Sequence, residues 1–255
     1  MLRTVLLACL LLPGQEGRRP PVEQGEILEL WLPREPGTRV EHFRLELPRA
    51  RGAEGVGKDG VEEGPETVGL VRLRFGVDPP GGFRLECESR FHDAATRVLH
   101  VERLHRDELR LTWREIGERH GRTVFVEWPL SDAALHSVSM SGGEIRRSDI
   151  DASGGALMPL YLLEKLRAGA ALPGSFRVYD PRSEALELLS LRITPIVGGL
   201  RVCEWHRSDG ALAGRYLFAD RRLIAFQWQA GGPVARAISA DEFKRVADSW
   251  EHSPP

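Results

Sequence analysis

From Val71 to Trp128 apolar and polar residues alternate almost one by one, and no feature of the chain restricts its fold more. Phe83, Leu85, Cys87, Ser89 and Phe91 fall on one face, and Arg84, Glu86, Glu88 and Arg90 on the other. Val71, Leu73 and Phe75 alternate with Arg72 and Arg74, and Leu109, Leu111 and Trp113 with Arg110 and Arg114. A period of two puts successive side chains on opposite sides of a strand, so each strand has one buried and one wet face. That pattern indicates antiparallel sheet, because parallel strands are buried on both faces. Strands are predicted near 39–47, 69–77, 83–91, 96–104, 108–116, 122–128, 134–140, 175–180, 185–193, 200–207, 212–219 and 222–230. Asp78-Pro79-Pro80-Gly81-Gly82, Gly117–Gly121 and Ser208-Asp209-Gly210 supply turns between them. The sequence contains no asparagine, so tight turns rest on Asp-Gly, Gly-Gly and proline.

Two segments have helical spacing instead. Residues 158–168 carry Pro159 in the first turn and stop at Gly169, the usual asymmetry of helix ends. Residues 240–250 follow Ser239, with Glu242 three positions on, the pattern of a capping box. Phe243, Val246 and Trp250 form a stripe there that should pack on the sheet.

The amino terminus has a different character. Arg3 precedes an unbroken apolar run from Val5 to Leu12, closed by Pro13-Gly14 and a polar stretch. This is the outline of a secretory signal. Eight residues rise about 12 Å as a helix, too short for a hydrocarbon core of about 30 Å, so no transmembrane span is expected. Residues 1–24 are therefore read as signal peptide and linker, and the protein as exported, periplasmic or extracellular. Leu6-Leu7-Ala8-Cys9 has the form of a weak lipobox, which would make Cys9 the acylated cysteine of an outer-membrane lipoprotein. Residues 25–250 form one domain, with a flexible Gly/Glu-rich loop at 49–67 and a tail at 251–255.

The 255 residues carry a formal net charge of −2, which gives no electrostatic basis for a nucleic-acid partner. Only Lys58, Lys165 and Lys244 are lysine, so nearly all positive charge is arginine. Catalytic signatures are missing. There is no GxSxG elbow, HExxH pair, phosphate loop or CxxC. His100 and His105, flanked by Arg103 and Arg106, read as surface residues rather than metal ligands. Asp149 and Asp151, beside Arg146 and Arg147, read as a polar loop. No cofactor, metal site or catalytic residue is expected. Cys87 and Cys203 make a candidate disulfide in an oxidising compartment, the other reading being two small buried side chains. Trp113, Trp128, Trp205, Trp228, Phe176 and Leu163 are candidates to line an apolar cavity, with plain core packing the competing explanation.

The order Leu157–Leu163, Leu172–Asp180, strands at 186–193 and 200–207, Asp209-Gly210, then Leu223–Gln227 before a short helix, resembles one known architecture. It resembles uncharacterised exported bacterial proteins of the half-open β-barrel type, which are similar to the lipoprotein-sorting carriers of the periplasm and outer membrane. The resemblance spans about residues 149–243 and carries no catalytic motif. It implies a mainly β (α+β) fold, in which a strongly curved antiparallel sheet wraps two helices around an apolar cavity. The function expected is non-catalytic binding of an acyl chain or a lipidated partner in the cell envelope. An assembly module holding another envelope protein is the alternative, and an envelope hydrolase the third reading.

Overall fold

A computed structural model describes residues 38–47, 65–78, 82–92, 96–105, 107–117, 121–170, 172–196 and 198–251. Residues 1–24, read above as a signal and linker, with Cys9 among them, most of the expected loop at 49–67 and the tail beyond Glu251 lie outside them. The alternating segments form one antiparallel sheet of fourteen strands. They are β1 Arg39–Glu46, β2 Thr67–Asp78, β3 Gly82–Phe91, β4 Arg97–His105, β5 Glu108–Ile116, β6 Gly121–Pro129, β7 Ala134–Ser141 and β8 Glu144–Asp151. After the helix α1 Pro159–Ala168 come β9 Ser175–Asp180, β10 Ala185–Pro195, β11 Leu200–Arg207, β12 Leu212–Ala219, β13 Arg222–Gln227 and β14 Val234–Ile238. Helix α2, Ala240–Glu251, follows.

The strand order is β8-β7-β6-β5-β4-β3-β2-β1-β14-β13-β12-β11-β10-β9. Two meanders therefore meet at the centre, where β1 pairs with β14 through His42–Glu46 and Val234–Ile238. The segment containing α1 carries the chain from one edge strand, β8, to the other, β9. There the edges approach without forming a ladder. Leu157 N–H donates to Arg177 O (2.8 Å), and Tyr179 N–H to Leu157 O (3.0 Å). The Ser137 hydroxyl meets the Tyr179 hydroxyl at 3.1 Å, and Arg122 Nη1 donates to Arg182 O at 2.7 Å. The sheet is thus strongly wrapped but not a closed barrel.

Register places Phe43, Val71, Phe75, Leu85, Leu111, Val124 and Tyr216 on the concave side, where they join one buried cluster with α1. Helix α1 lies inside this wrap: Leu160, Tyr161, Leu162, Leu163, Leu166 and Arg167 are all buried. A helix apolar on nearly every side is stable only when surrounded. Helix α2 instead lies on the outside of β1. Ser239 Oγ accepts from Glu242 N–H at 3.1 Å, half of the expected capping box. The Glu242 carboxylate turns away to Arg44 at 2.9 Å, while Phe243 stacks on His42 with ring centres 4.7 Å apart.

Four expectations need correction. Arg146–Asp151 is not a loop but part of β8, an edge strand exposed on nearly every residue, so neither face shows an apolar rhythm. Strand β14 is short and follows the Gly231-Gly232-Pro233 turn, which masked it as a terminal loop. His100 is not a surface residue: it faces the interior and is 9% exposed. The disulfide between Cys87 and Cys203 is absent. Both are free, buried thiols, and strands β2, β1, β14, β13 and β12 stand between theirs in the sheet.

Candidate functional site

The sheet wall and α1 do not fill the interior completely. A cavity of about 380 Å³ remains beside the N-terminal turn of α1, between β3–β5 on one side and β9–β12 on the other. Its walls are aromatic and aliphatic: Phe91, Trp113, Trp205, Tyr216 and Trp228, with Leu160, Leu162, Val178 and Leu189. These positions face inward through strand register. Trp113 lies opposite His100, and His100 opposite Cys87, in neighbouring strands. Ring packing holds the far wall: Trp205 meets Tyr216 edge-on with centroids 4.4 Å apart, and Trp228 tilts against Phe226 at 4.6 Å.

Behind the lining residues His100 and Leu160 lies one buried carboxyl group. Glu102, on β4, is 2% exposed. Its Oε1 accepts from Leu160 N–H and its Oε2 from Tyr161 N–H, both at 2.8 Å. Met158, the residue preceding the helix, offers no side-chain cap, so the wall strand supplies it. A carboxylate at a helix N-terminus also meets the positive end of the helix dipole. His100 Nε2 lies 2.9 Å from Glu102 Oε1 but off the line of a hydrogen bond, with no other partner among the described residues.

The opposite end of α1 is tied down by charge. Arg167 pairs with both Glu41 oxygens (2.7 and 2.8 Å) and its Nε lies 3.0 Å from Glu164, while Arg39 reaches Glu164 at 2.9 Å. Both guanidinium groups stack over the Phe75 ring, at 4.3 and 4.6 Å. Helix α1 is therefore fixed at both ends and does not slide into the space beside it.

Burial holds two ionisable groups of the cavity in their neutral forms. Burial raises the Cys87 thiol to about 12, so it stays protonated and is a poor nucleophile at neutral pH. Burial likewise raises the Tyr216 phenol. Both Glu102 oxygens are occupied by helix amides. No group of three or more His, Cys, Asp or Glu that could hold a metal ion occurs among the described residues. At the mouth lie Asp180, Arg182, Glu187, Arg207 and Gln229.

Of the residues singled out from sequence, Trp113, Trp205 and Trp228 line the cavity. Trp128, Phe176 and Leu163 are core residues away from it: Trp128 donates to Asp132 O at 3.2 Å, and all three are at most 7% exposed. Cys87 lines the cavity and Cys203 does not. Tyr216 and Glu102 were not singled out. Tyr216 is visible as an inward position of an alternating strand, but alternation cannot say which inward residues border empty space. Asp149 and Asp151 are exposed on β8, with Asp149 receiving His136 Nδ1 at 2.8 Å.

No helix of the described residues is long and apolar enough to cross a membrane. No protein-family model matches the chain, and no curated protein matches it. Among solved structures it is similar to a β-barrel-like protein from Brucella abortus belonging to a domain of unknown function, DUF1849. The TM-score is 0.52 at 11% identity, over 78% of this chain and 95% of that one. Identity this low makes the likeness one of fold: an uncharacterised β-barrel-like architecture, with no support in it for a resemblance to lipoprotein-sorting carriers.

Proposed function

We propose that this protein is a non-catalytic binding protein of the cell envelope, taking an acyl chain, free or attached to a lipidated partner, into the cavity beside α1. The observation that carries this reading is an aromatic-lined space of about 380 Å³ inside a wrapped sheet. That volume lies at the low end of the roughly 300–1,000 Å³ typical of small-molecule sites. Withdrawing apolar surface from water into it contributes about 25 cal/mol per Å². The neutral Cys87 thiol and the occupied Glu102 carboxylate support binding rather than turnover. Export rests on the apolar run from Val5 to Leu12.

A wholly packed interior would have favoured the assembly module, and the cavity argues against that reading. The test is titration of delipidated protein with a fluorescent fatty acid. Saturable uptake at one site, abolished by filling the cavity with Ala213→Trp, is expected. Uptake that never saturates, or that Ala213→Trp leaves unchanged, overturns the reading.

A further inference from the structure

The mouth of the cavity has a charge asymmetry that its depth lacks, and this selects among apolar ligands. Four charged residues stand there: Asp180, Arg182, Glu187 and Arg207. Asp180 is spent on its own turn. Its Oδ1 accepts from Arg182 N–H at 3.0 Å, and its Oδ2 from Ser183 N–H at 3.2 Å and the Ser183 hydroxyl at 2.8 Å. Glu187 stands 3.7 Å from Arg207 Nε, a loose pair on an exposed surface. Arg182 has no carboxylate within ion-pair distance among the described residues, although its backbone is held from both sides. Its N–H is bound by Asp180, and its carbonyl accepts from Arg122 Nη1 at 2.7 Å. The result is an exposed guanidinium on a fixed turn, beside an apolar opening.

The helix amides beside the inner end are not free to receive an anion. Glu102, behind the lining residues His100 and Leu160, already takes with its two oxygens the amides that a helix N-terminus would otherwise offer to an anion. An anionic group entering head first would lose its hydration among largely apolar walls, with those amides already taken. With its tail inward, the same molecule leaves its head at the surface, within reach of a cation whose planar fork matches a carboxylate.

We infer that the ligand is a single-chain amphiphile with a carboxylate head, a long-chain fatty acid anion, bound tail inward with its head on Arg182 and Arg207. This deepens the function proposed above and rests on it. The cavity's size suits one chain rather than a bundle, and a single unpaired cation at the mouth, among the described residues, suits a monoanion.

Full-length delipidated protein is titrated with palmitate, hexadecanol and hexadecyltrimethylammonium below their self-association concentrations, following quenching of the cavity tryptophans. Palmitate should bind roughly fivefold or more tightly than hexadecanol, and the cation most weakly. Arg182→Gln should weaken palmitate roughly five- to tenfold and leave hexadecanol unchanged, which also shows that the variant is folded. Arg207→Gln, relieving Glu187 of its partner, should weaken palmitate less. Equal affinity for palmitate and hexadecanol, or an Arg182→Gln variant that keeps the parent preference, overturns the carboxylate assignment while leaving an apolar site in place. If none of the three binds, the binding function itself fails and this assignment with it.

Discussion

Glu102 of the sheet wall and Leu160 of the enclosed helix are joined by a 2.8 Å hydrogen bond from the Leu160 amide, across 58 residues of chain. A second bond of 2.8 Å, from Tyr161 N–H, makes this carboxylate the cap that α1 lacks in its own sequence. Glu102→Gln replaces one acceptor oxygen with an NH₂ aimed at an amide. It should lower stability by about 2 kcal/mol, read as a drop in urea midpoint at unchanged m-value. Glu102→Leu, which leaves both amides without an acceptor, should cost more.

At the other end of α1, Arg167 holds Glu41 and Glu164 together beside Phe75. Arg167→Met should cost about 3 kcal/mol, because Glu41 and Glu164 then share a poorly hydrated site with only Arg39. The double variant Arg167→Met with Glu41→Gln should lose clearly less than the two single losses added, as measured in a denaturation cycle. Additive losses would mean that the ion pairs are not coupled.

The Cys87 thiol gives the alkaline limb of stability a definite sign. Unfolded, it ionises near its usual value of 9.0; folded, burial holds it protonated to about 12. Between those values the unfolded chain has released a proton that the native protein retains, so stability falls as pH rises from about 9 toward 12. One such group contributes a slope of about 1.4 kcal/mol per pH unit. Cys87→Ala should remove about 1.4 kcal/mol of the fall between pH 8 and pH 10, roughly half the full slope, in urea titrations at pH 8, 9 and 10. Neither Cys87 nor Cys203 should react with a thiol reagent at pH 7.5 until urea unfolds the chain.

Gly214 sets the position of the cavity wall. A β-carbon there would lie 2.4 Å from Trp205 Nε1 and 2.9 Å from Gln227 O, closer than atoms pack. Since the Gln227 carbonyl is backbone, the indole of Trp205 is what gives way. Gly214→Ala should alter the tryptophan emission of the folded protein and weaken fatty-acid uptake. Unchanged emission and uptake would show that the wall is not set there.

The alternating residues from Val71 to Trp128 made β2 through β6 legible to within a few residues, because each of those strands has one wet face and one buried face. Strand β8 was hidden by the same logic. Its residues are exposed on both sides, and Arg146, Arg147 and Asp149 read as loop chemistry without a partner strand in view. Helix α1 was visible from Pro159 and Gly169 and lies inside the wrap as the resemblance implied, whereas α2, expected there too, lies on the outside of β1. The site was less legible still. Trp113, Trp205 and Trp228 could be nominated, whereas Glu102 looks like any inward-alternating polar residue until the amides of Leu160 and Tyr161 arrive beside it. What sequence lacks here is the meeting of distant segments, and this cavity lies where three of them meet.

The pairing of β1 with β14 sets the terms on which the molecule assembles. The earliest strand of the fourteen finds its second neighbour only when the latest one arrives, after nearly two hundred intervening residues. Closing so long a loop is entropically costly and raises contact order, so the final zippering should be slow. Until it is complete, β1 has one edge unpaired and a greasy face uncovered. During that interval the chain is most open to aggregation or to capture by a chaperone.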